Sequence, residues 1–308
     1  MKKTINVLLA SVSMISVLIT GGCSKKHDAL PAINGFNTSN DVAADNLLAH
    51  WSFEGSNNEV ISSTAPTTAA GNSFATGVKG QALVLAAGHL VYPTIAKLSG
   101  ANAFPSVTVS LWVKISNNNT LQSNLFGITQ PLATQSDWNT GPLNVYVETG
   151  NHQVGSDTLQ LHSDFATYIN SVRYNGDNVN NYGGTAGTDY QYVIQGGKWF
   201  HYVMVYDASG SNIDLYANGV VVSDGIFRHR TYTPTGGTET GLGPIVNSPG
   251  ATQVVIGAWP TATAGFTNSP DQGWQGLTTG SIDEIRVYNK ALTTLEIGSL
   301  YQLELANR

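Results

Sequence analysis

Cysteine is nearly missing from this chain: Cys23 is the only one in 308 residues. No intramolecular disulfide can form, so the fold must be held by its core rather than by cross-links. Charge is scarce as well. Only 11% of residues are charged, and the formal net charge is −6. Such a chain lacks the basic surface that nucleic-acid phosphates require, which excludes nucleic acid as a partner. The apolar stretch from Val7 to Ile19 is short and broken by serines, too short to cross a bilayer.

Catalytic patterns are missing too. Glycoside hydrolysis with retention needs two carboxylates about 5 Å apart, and on a strand the period-two spacing delivers that geometry. Here Glu54 and Glu59 are separated by a stretch containing Gly55, and Asp283 and Glu284 are adjacent, so they point to opposite faces. Gly71-Asn72-Ser73-Phe74-Ala75 fails as a nucleophile elbow at its last position. Gly241-Leu242-Gly243 runs into Pro244, wrong for a dinucleotide turn, and no Walker loop is found. Histidines 27, 50, 89, 152, 162, 201 and 229 are scattered without metal-ligand spacing. His162 and Asp164 share a strand face and are expected to be a solvated pair. These absences point away from an enzyme.

What is present is turn-rich and uncharged, with 33 glycines. From Leu47 onward, short alternating runs are separated by Gly, Asn, Ser and Pro, the pattern of an all-β sandwich or jelly roll. The clearest stretch is 197–222. Trp199 to Tyr206 is aromatic and β-branched, Asp207 to Ser211 turns, and Ile213, Leu215 and Ala217 alternate with polar positions. Asn218-Gly219 then precedes Val220-Val221-Val222, the signature of a type I′ hairpin. Strands are expected near 48–54, 82–86, 107–115, 123–128, 143–148, 158–162, 167–174, 189–195, 199–206, 212–217, 220–223, 252–257 and 281–288. Segment 129–197 is rich in Tyr, Asn and Gly. One short helix is expected from Thr293 to Leu300 or Tyr301: Thr293 and Glu296 form a capping box, and Leu292 can staple onto Ile297.

Several of these runs together resemble the laminin-G-like jelly roll of the concanavalin A-type lectin/glucanase superfamily. The residues that carry the resemblance are His50-Trp51-Ser52-Phe53-Glu54, Lys79-Gly80-Gln81-Ala82-Leu83, Val107 to Val113, the 199–222 hairpins and Gly280 to Ala291. The resemblance covers roughly residues 47–303. It implies a jelly-roll β-sandwich closed by a short helix, on a fold that hosts lectins, carbohydrate-binding modules, glycosidases and adhesion domains. It also implies one structural Ca²⁺, held by Glu54, the Lys79–Gly80 carbonyl region and Asp283. Glu54 departs from the aspartate frequent at that position. The alternative is that these acids are solvated strand ends.

The N-terminus is similar to a bacterial lipoprotein signal, with Lys2 and Lys3, the apolar stretch, and Gly21-Gly22 before Cys23. Thr20 departs from the leucine usual in a lipobox. By this resemblance residues 1–22 are removed, Cys23 is lipidated, 23–46 is a flexible tether, and 47–308 is the folded domain. Ordinary secretion with a free thiol is the alternative, and either way the protein leaves the cytoplasm. The expected location is the cell envelope, at the outer membrane.

The tryptophans bear on function. Trp51, Trp112 and Trp199 sit in apolar strand patterns and read as core. Trp138, Trp259 and Trp274 lie among Asn, Asp, Gln and Gly, in loops. A loop aromatic beside planar amides offers a flat face for sugar C–H groups and partners for hydroxyls. Trp138, Trp259, Trp274 and Tyr182 are the candidate ligand-binding residues, with a neutral glycan as the expected partner. An adhesion module that binds protein, or a glycosidase with a non-standard site in 129–197, are the alternatives.

Overall fold

A computed structural model describes residues 30–118, 121–148, 158–180, 194–248 and 250–308. Cys23 and Tyr182 lie outside the described residues. The strands are β1 Leu47–Trp51, β2 Thr68–Thr76, β3 Gln81–Tyr92, β4 Val107–Ile115, β5 Gln122–Thr129, β6 Leu143–Glu148, β7 Thr158–Ile169, β8 Val172–Val179 and β9 Ile194–Gln195. They continue as β10 Phe200–Asp207, β11 Asn212–Ala217, β12 Val220–Val221, β13 Thr231–Tyr232, β14 Thr240–Gly241, β15 Gln253–Ile256, β16 Gln275–Gly276 and β17 Thr278–Tyr288, followed by helix α1, Thr294–Leu305.

Nearly all pairing is antiparallel, and the sheet curls back on itself as a jelly roll. Its strand order is β12-β11-β10-β4-β17-β3-β15-β5-β6-β7-β8. The strand β17 is where the curl is made. Its first half pairs with β3 and its second half with β1, while β4 runs along the other side throughout. The ladder with β4 is interrupted between Asp283 and Arg286, where Glu284 adopts φ 48. Such a bulge bends and twists a strand. The inner face is one continuous core that includes Trp51, Phe53, Leu85, Leu111, Phe126, Val145, Phe165, Tyr202 and Ile256. The curl is closed where Phe165 packs on Tyr206 at 4.1 Å and Tyr202 donates to the His162 carbonyl.

Period-two alternation was the right guide for most strands. Both residues of Asn218-Gly219 have positive φ, 51 and 80, as the type I′ turn demands. Three differences are instructive. The expected strand 167–174 is two strands, because Asn170 and Ser171 turn the chain at φ 51 and 65. β2 was missed, because Thr68–Thr76 is made of small, mostly exposed residues whose apolar and polar types do not alternate, although every second position from Ala70 to Phe74 is partly buried. The helix runs on to Leu305 behind the expected capping box.

The tether expected over 23–46 also ends earlier: one compact unit spans 32–308. Val42, with Ile33 and Phe36 beside it, packs against Ile297, Leu300 and Leu303 of α1. Asn34 donates to Ser299 Oγ at 3.0 Å, and the Arg308 carbonyl accepts from Ser39 N–H.

Trp51 is core, as expected. Trp112 is buried on the opposite face, under α1, stacked on Tyr301 at 5.5 Å. Trp199 stands just before β10 and is only half-buried. The underside of α1 carries an ionic network that local sequence does not announce. Arg286 is fully buried and donates to Glu304 Oε1 (2.8 Å), Glu284 Oε2 (2.5 Å), Asn40 and Ser39. Glu304 Oε2 accepts from the Trp112 indole at 2.7 Å, and Glu284 faces His50 at 2.9 Å. Burial pushes Glu304 up to about 7 despite the Arg286 charge.

Removing one partner of such a network leaves an uncompensated buried charge, which costs roughly 3–5 kcal/mol. Arg286→Met should therefore lower unfolding stability in urea by about that much. Adding Glu284→Gln and Glu304→Gln to it should recover most of the loss. A single-variant cost under about 1 kcal/mol would contradict the description of the network.

Candidate functional site: an aromatic cluster on the outer sheet face

Alternation puts Leu143, Val145 and Val147 of β6 into the core, which leaves Asn144, Tyr146 and Glu148 on the outer face. Across the ladder Tyr146 meets His162 and Asn144 meets Asp164. Two loops fold over this face: 130–142 after β5, and 257–274 after β15. Beneath them lies a small second core of Val91, Val255, Ala258, Ala264 and Phe266.

Trp138, Trp259 and Trp274, remote in sequence, meet here. Their ring centroids are 5.1 Å (Trp138–Trp259), 5.3 Å (Trp138–Trp274) and 4.8 Å (Trp259–Trp274) apart, all nearly perpendicular. Edge-to-face packing of this kind sets the positive ring edge on the negative face of its neighbour. Tyr146 extends the cluster, 4.9 Å from Trp259. A polar relay holds the loops in register. Asp137 Oδ1 accepts from Trp138 N–H (2.7 Å) and from Gln272 Nε2 (3.3 Å), and Gln272 Oε1 accepts from the Trp274 indole (2.8 Å). Gln122 serves both other ends: its N–H donates to the Trp274 carbonyl, and its carbonyl accepts from the Trp259 indole at 2.9 Å.

The three tryptophans do not share one environment. Trp138 and Trp274 are half-buried, whereas Trp259 is 2% exposed and is not the solvated loop aromatic that its neighbours in sequence suggest. Trp259 forms a wall of a pocket of about 350 Å³, together with Thr261, Thr263, Asp271, Gln275 and Leu277. Asp271, at the rim, accepts from Thr263 N–H (3.0 Å) and Oγ1 (2.9 Å). Gln275 Oε1 accepts from Gln272 N–H, while its Nε2 donor has no hydrogen-bond partner among the described residues. Sequence reading singled out Trp274 for its flanking glutamines but not Asp271.

Beside the aromatics, His162 packs on Tyr146 at 4.6 Å. Its Nδ1 pairs with Glu148 and its Nε2 faces Asp177 at 3.5 Å, with Arg230 bound to Asp177 at 2.7 Å. Burial opposes a charged ring, but Asp177 and Glu148 outweigh it and raise His162 to about 9. Asp164 is buried, and neither of its oxygens has a hydrogen-bond partner among the described residues. Burial pushes it up to about 7 against the His162 charge. The expected solvated His162–Asp164 pair is therefore a buried cluster.

At the third candidate position, Asp283 Oδ2 accepts from Val78 and Lys79 N–H at 2.8 and 3.1 Å, and Glu54 accepts from Gln81 N–H at 3.2 Å. Both acids thus meet at one turn. A Cβ on Gly80 (φ 70) would lie 2.0 Å from Glu54 Oε1, so a side chain there would strain the backbone and displace the Glu54 carboxylate. Asp283 Oδ1 is buried without a partner among the described residues, an oxygen that fits a hard cation. Among the described residues no three His, Cys, Asp or Glu side chains group as a metal centre.

Asp164 yields a pH prediction. The folded chain holds its proton more tightly than the unfolded chain, so stability falls as pH rises from about 4 to about 7. Asp164→Asn removes that loss. Its stability relative to wild type should climb across this window by up to about 4 kcal/mol, read from melts at stepped pH. Parallel pH profiles would contradict the burial of an unpartnered carboxyl.

Comparison with known proteins agrees with this architecture. Among curated proteins none matches the chain. Solved structures do, at identities that speak to fold alone. The binding domain of botulinum neurotoxin serotype G is 12% identical, with TM-score 0.51 over 84% of this chain and 51% of that one. Domain 4 of AbnA, a GH43 extracellular arabinanase from Geobacillus stearothermophilus, solved with arabinotriose, is 22% identical, with TM-score 0.48 over 83% and 98%. The ligand-binding domain of botulinum neurotoxin serotype D, solved with N-acetylneuraminic acid, is 12% identical, with TM-score 0.48 over 86% and 52%. The chain thus spans about half the length of the neurotoxin domains it matches. A profile of the laminin G type, described as the concanavalin A-like lectin/glucanases superfamily, matches residues 87–298. With the curled antiparallel sheet, the capped closing helix and that match over most of its length, the chain belongs to the concanavalin A-like lectin/glucanase superfamily.

Proposed function

We propose that this chain is a non-catalytic, lectin-like domain that captures a neutral oligo- or polysaccharide at the bacterial cell envelope. One observation carries the reading: Trp138, Trp259 and Trp274 converge beside a pocket whose lining includes an acceptor, Asp271, and the polar side chains of Thr261, Thr263 and Gln275. Sugar recognition needs this combination of apolar face and convergent polar groups. The membership in a superfamily named for lectins is consistent with it.

The burial of Trp259 separates the three aromatics experimentally. Trp259→Ala should cost roughly 3–5 kcal/mol of folding stability, as for a core aromatic. Trp138→Ala and Trp274→Ala should melt closer to wild type and lose about 1–3 kcal/mol of binding to a glycan captured on an array. If both half-buried variants bind as wild type does, the glycan is not read at this cluster.

One Ca²⁺ belongs to the same proposal, held by Glu54, the Gly80 region and Asp283, and supported by the unpartnered Asp283 oxygen. A cation bound only to the folded state stabilises it by mass action. Chelator should then lower the melting temperature of wild type but not of Asp283→Ala. Identical wild-type melts with and without chelator would remove calcium from the account.

The anchor is a lipid on Cys23, placing the domain at the outer membrane. The charged, apolar and small-residue succession before Cys23 supports it. Cys23→Ser should move the protein from the detergent to the aqueous phase on fractionation, and unchanged partitioning would rule out the lipid.

A further inference from the structure

The pocket beside Trp259 differs from an open sugar-binding groove in size and in charge. At about 350 Å³ it lies at the small end of ligand sites, enough for one or two sugar units but not for a running chain. Its lining is mostly apolar, with Trp259, Leu121 and Leu277 among the walls, and Asp271 is the single charged side chain among the described residues that line it. Among the described residues no Lys or Arg lines it to balance an anionic ligand. Thr263 fixes the Asp271 carboxylate through two hydrogen bonds, so that group cannot easily swing away from an approaching anion. Gln275 places a donor without a partner in the same lining.

From this we infer that the pocket takes the uncharged terminal one or two residues of a glycan and excludes acidic sugars. The inference rests on the glycan-binding reading and narrows it to a substrate class. A sugar hydroxyl can donate a hydrogen bond to the Asp271 carboxylate. A carboxylated sugar would instead set its own anion near the Asp271 carboxylate, and like charges repel. Selectivity then comes as much from the repulsion built against the acid as from contacts with the neutral ligand. The net charge of −6 adds to it at long range.

The test uses the full chain and two defined ligand sets, with binding read by calorimetry. One set pairs methyl glycosides of neutral sugars with methyl glycosides of the matching uronic acids. The other is a length series of the best neutral sugar, from one to six units. The neutral member should bind at least about tenfold more tightly than its uronic partner, and affinity should stop rising after two units. Asp271→Asn should weaken neutral binding, because the anionic acceptor is lost, and strengthen binding of the uronic partner, so that the neutral-to-acid gap narrows. Equal binding of both members, or a gap that Asp271→Asn leaves unchanged, would overturn the exclusion of acids while leaving glycan binding intact. Affinity rising steadily to six units would overturn chain-end recognition. Binding of neither set would overturn this inference and the glycan reading together.

Discussion

One strand has to change partners midway along a single curled sheet, and most of the molecule follows from how β17 does it. Its first half closes against β3, its second half against β1, and β4 flanks both. A regular ladder cannot make that change of partner, so the strand bulges at Asp283–Glu284 and Glu284 takes a left-handed backbone. That conformation costs a non-glycine residue of order 1–2 kcal/mol. The hydrogen bond of Glu284 with His50 and its ion pair with Arg286 offset it. The bulge also aims adjacent acids in different directions: Asp283 at the 77–80 turn, Glu284 at the network beneath α1.

Once the sheet has curled, its two outer faces are left to different tasks. One is sealed by α1 through Val203, Val205, Tyr216 and Tyr288, with Arg286 and Glu304 at the centre. The other is covered by loops that carry the tryptophans. Loops over a rigid sheet are where a fold of this class can vary its ligand without endangering its core. The small satellite core under them, around Phe266 and Val255, holds the pocket wall still while leaving its rim polar. A preformed, partly apolar pocket loses little ordering entropy on binding, which suits a weakly interacting neutral sugar.

The parts of this arrangement legible in the sequence are those set by neighbours along the chain. The β10–β12 hairpins, the turn at Asn218-Gly219 and the capping box of Thr293 and Glu296 all carry their physics within a few residues. The loop tryptophans were legible as a set, because Gln, Asn, Asp and Gly around them mark loops that a jelly roll gathers. Their burial was not, since Trp259 is shielded by Trp138 and Tyr146 from far along the chain. The ionic network was illegible for the same reason. Arg286 draws its partners from Ser39, Asn40, Glu284 and Glu304, and no local spacing announces such a set. β2 escaped because an exposed strand of small residues has no hydrophobic period to read. Asp164 shared a strand face with His162 as expected, yet only the loops and β8 decide that the face is dry.

The central question is whether a sugar occupies the pocket walled by Trp259 beside the tryptophan cluster. The most direct measurement follows the indole N–H resonances of the chain by nuclear magnetic resonance during titration with a neutral oligosaccharide captured on a glycan array. The Trp259 and Trp274 signals should shift saturably, with the Trp51 and Trp112 signals unmoved, since those two are sealed in the core and under α1. Saturable binding that leaves the Trp259 and Trp274 signals in place would contradict occupancy of that pocket.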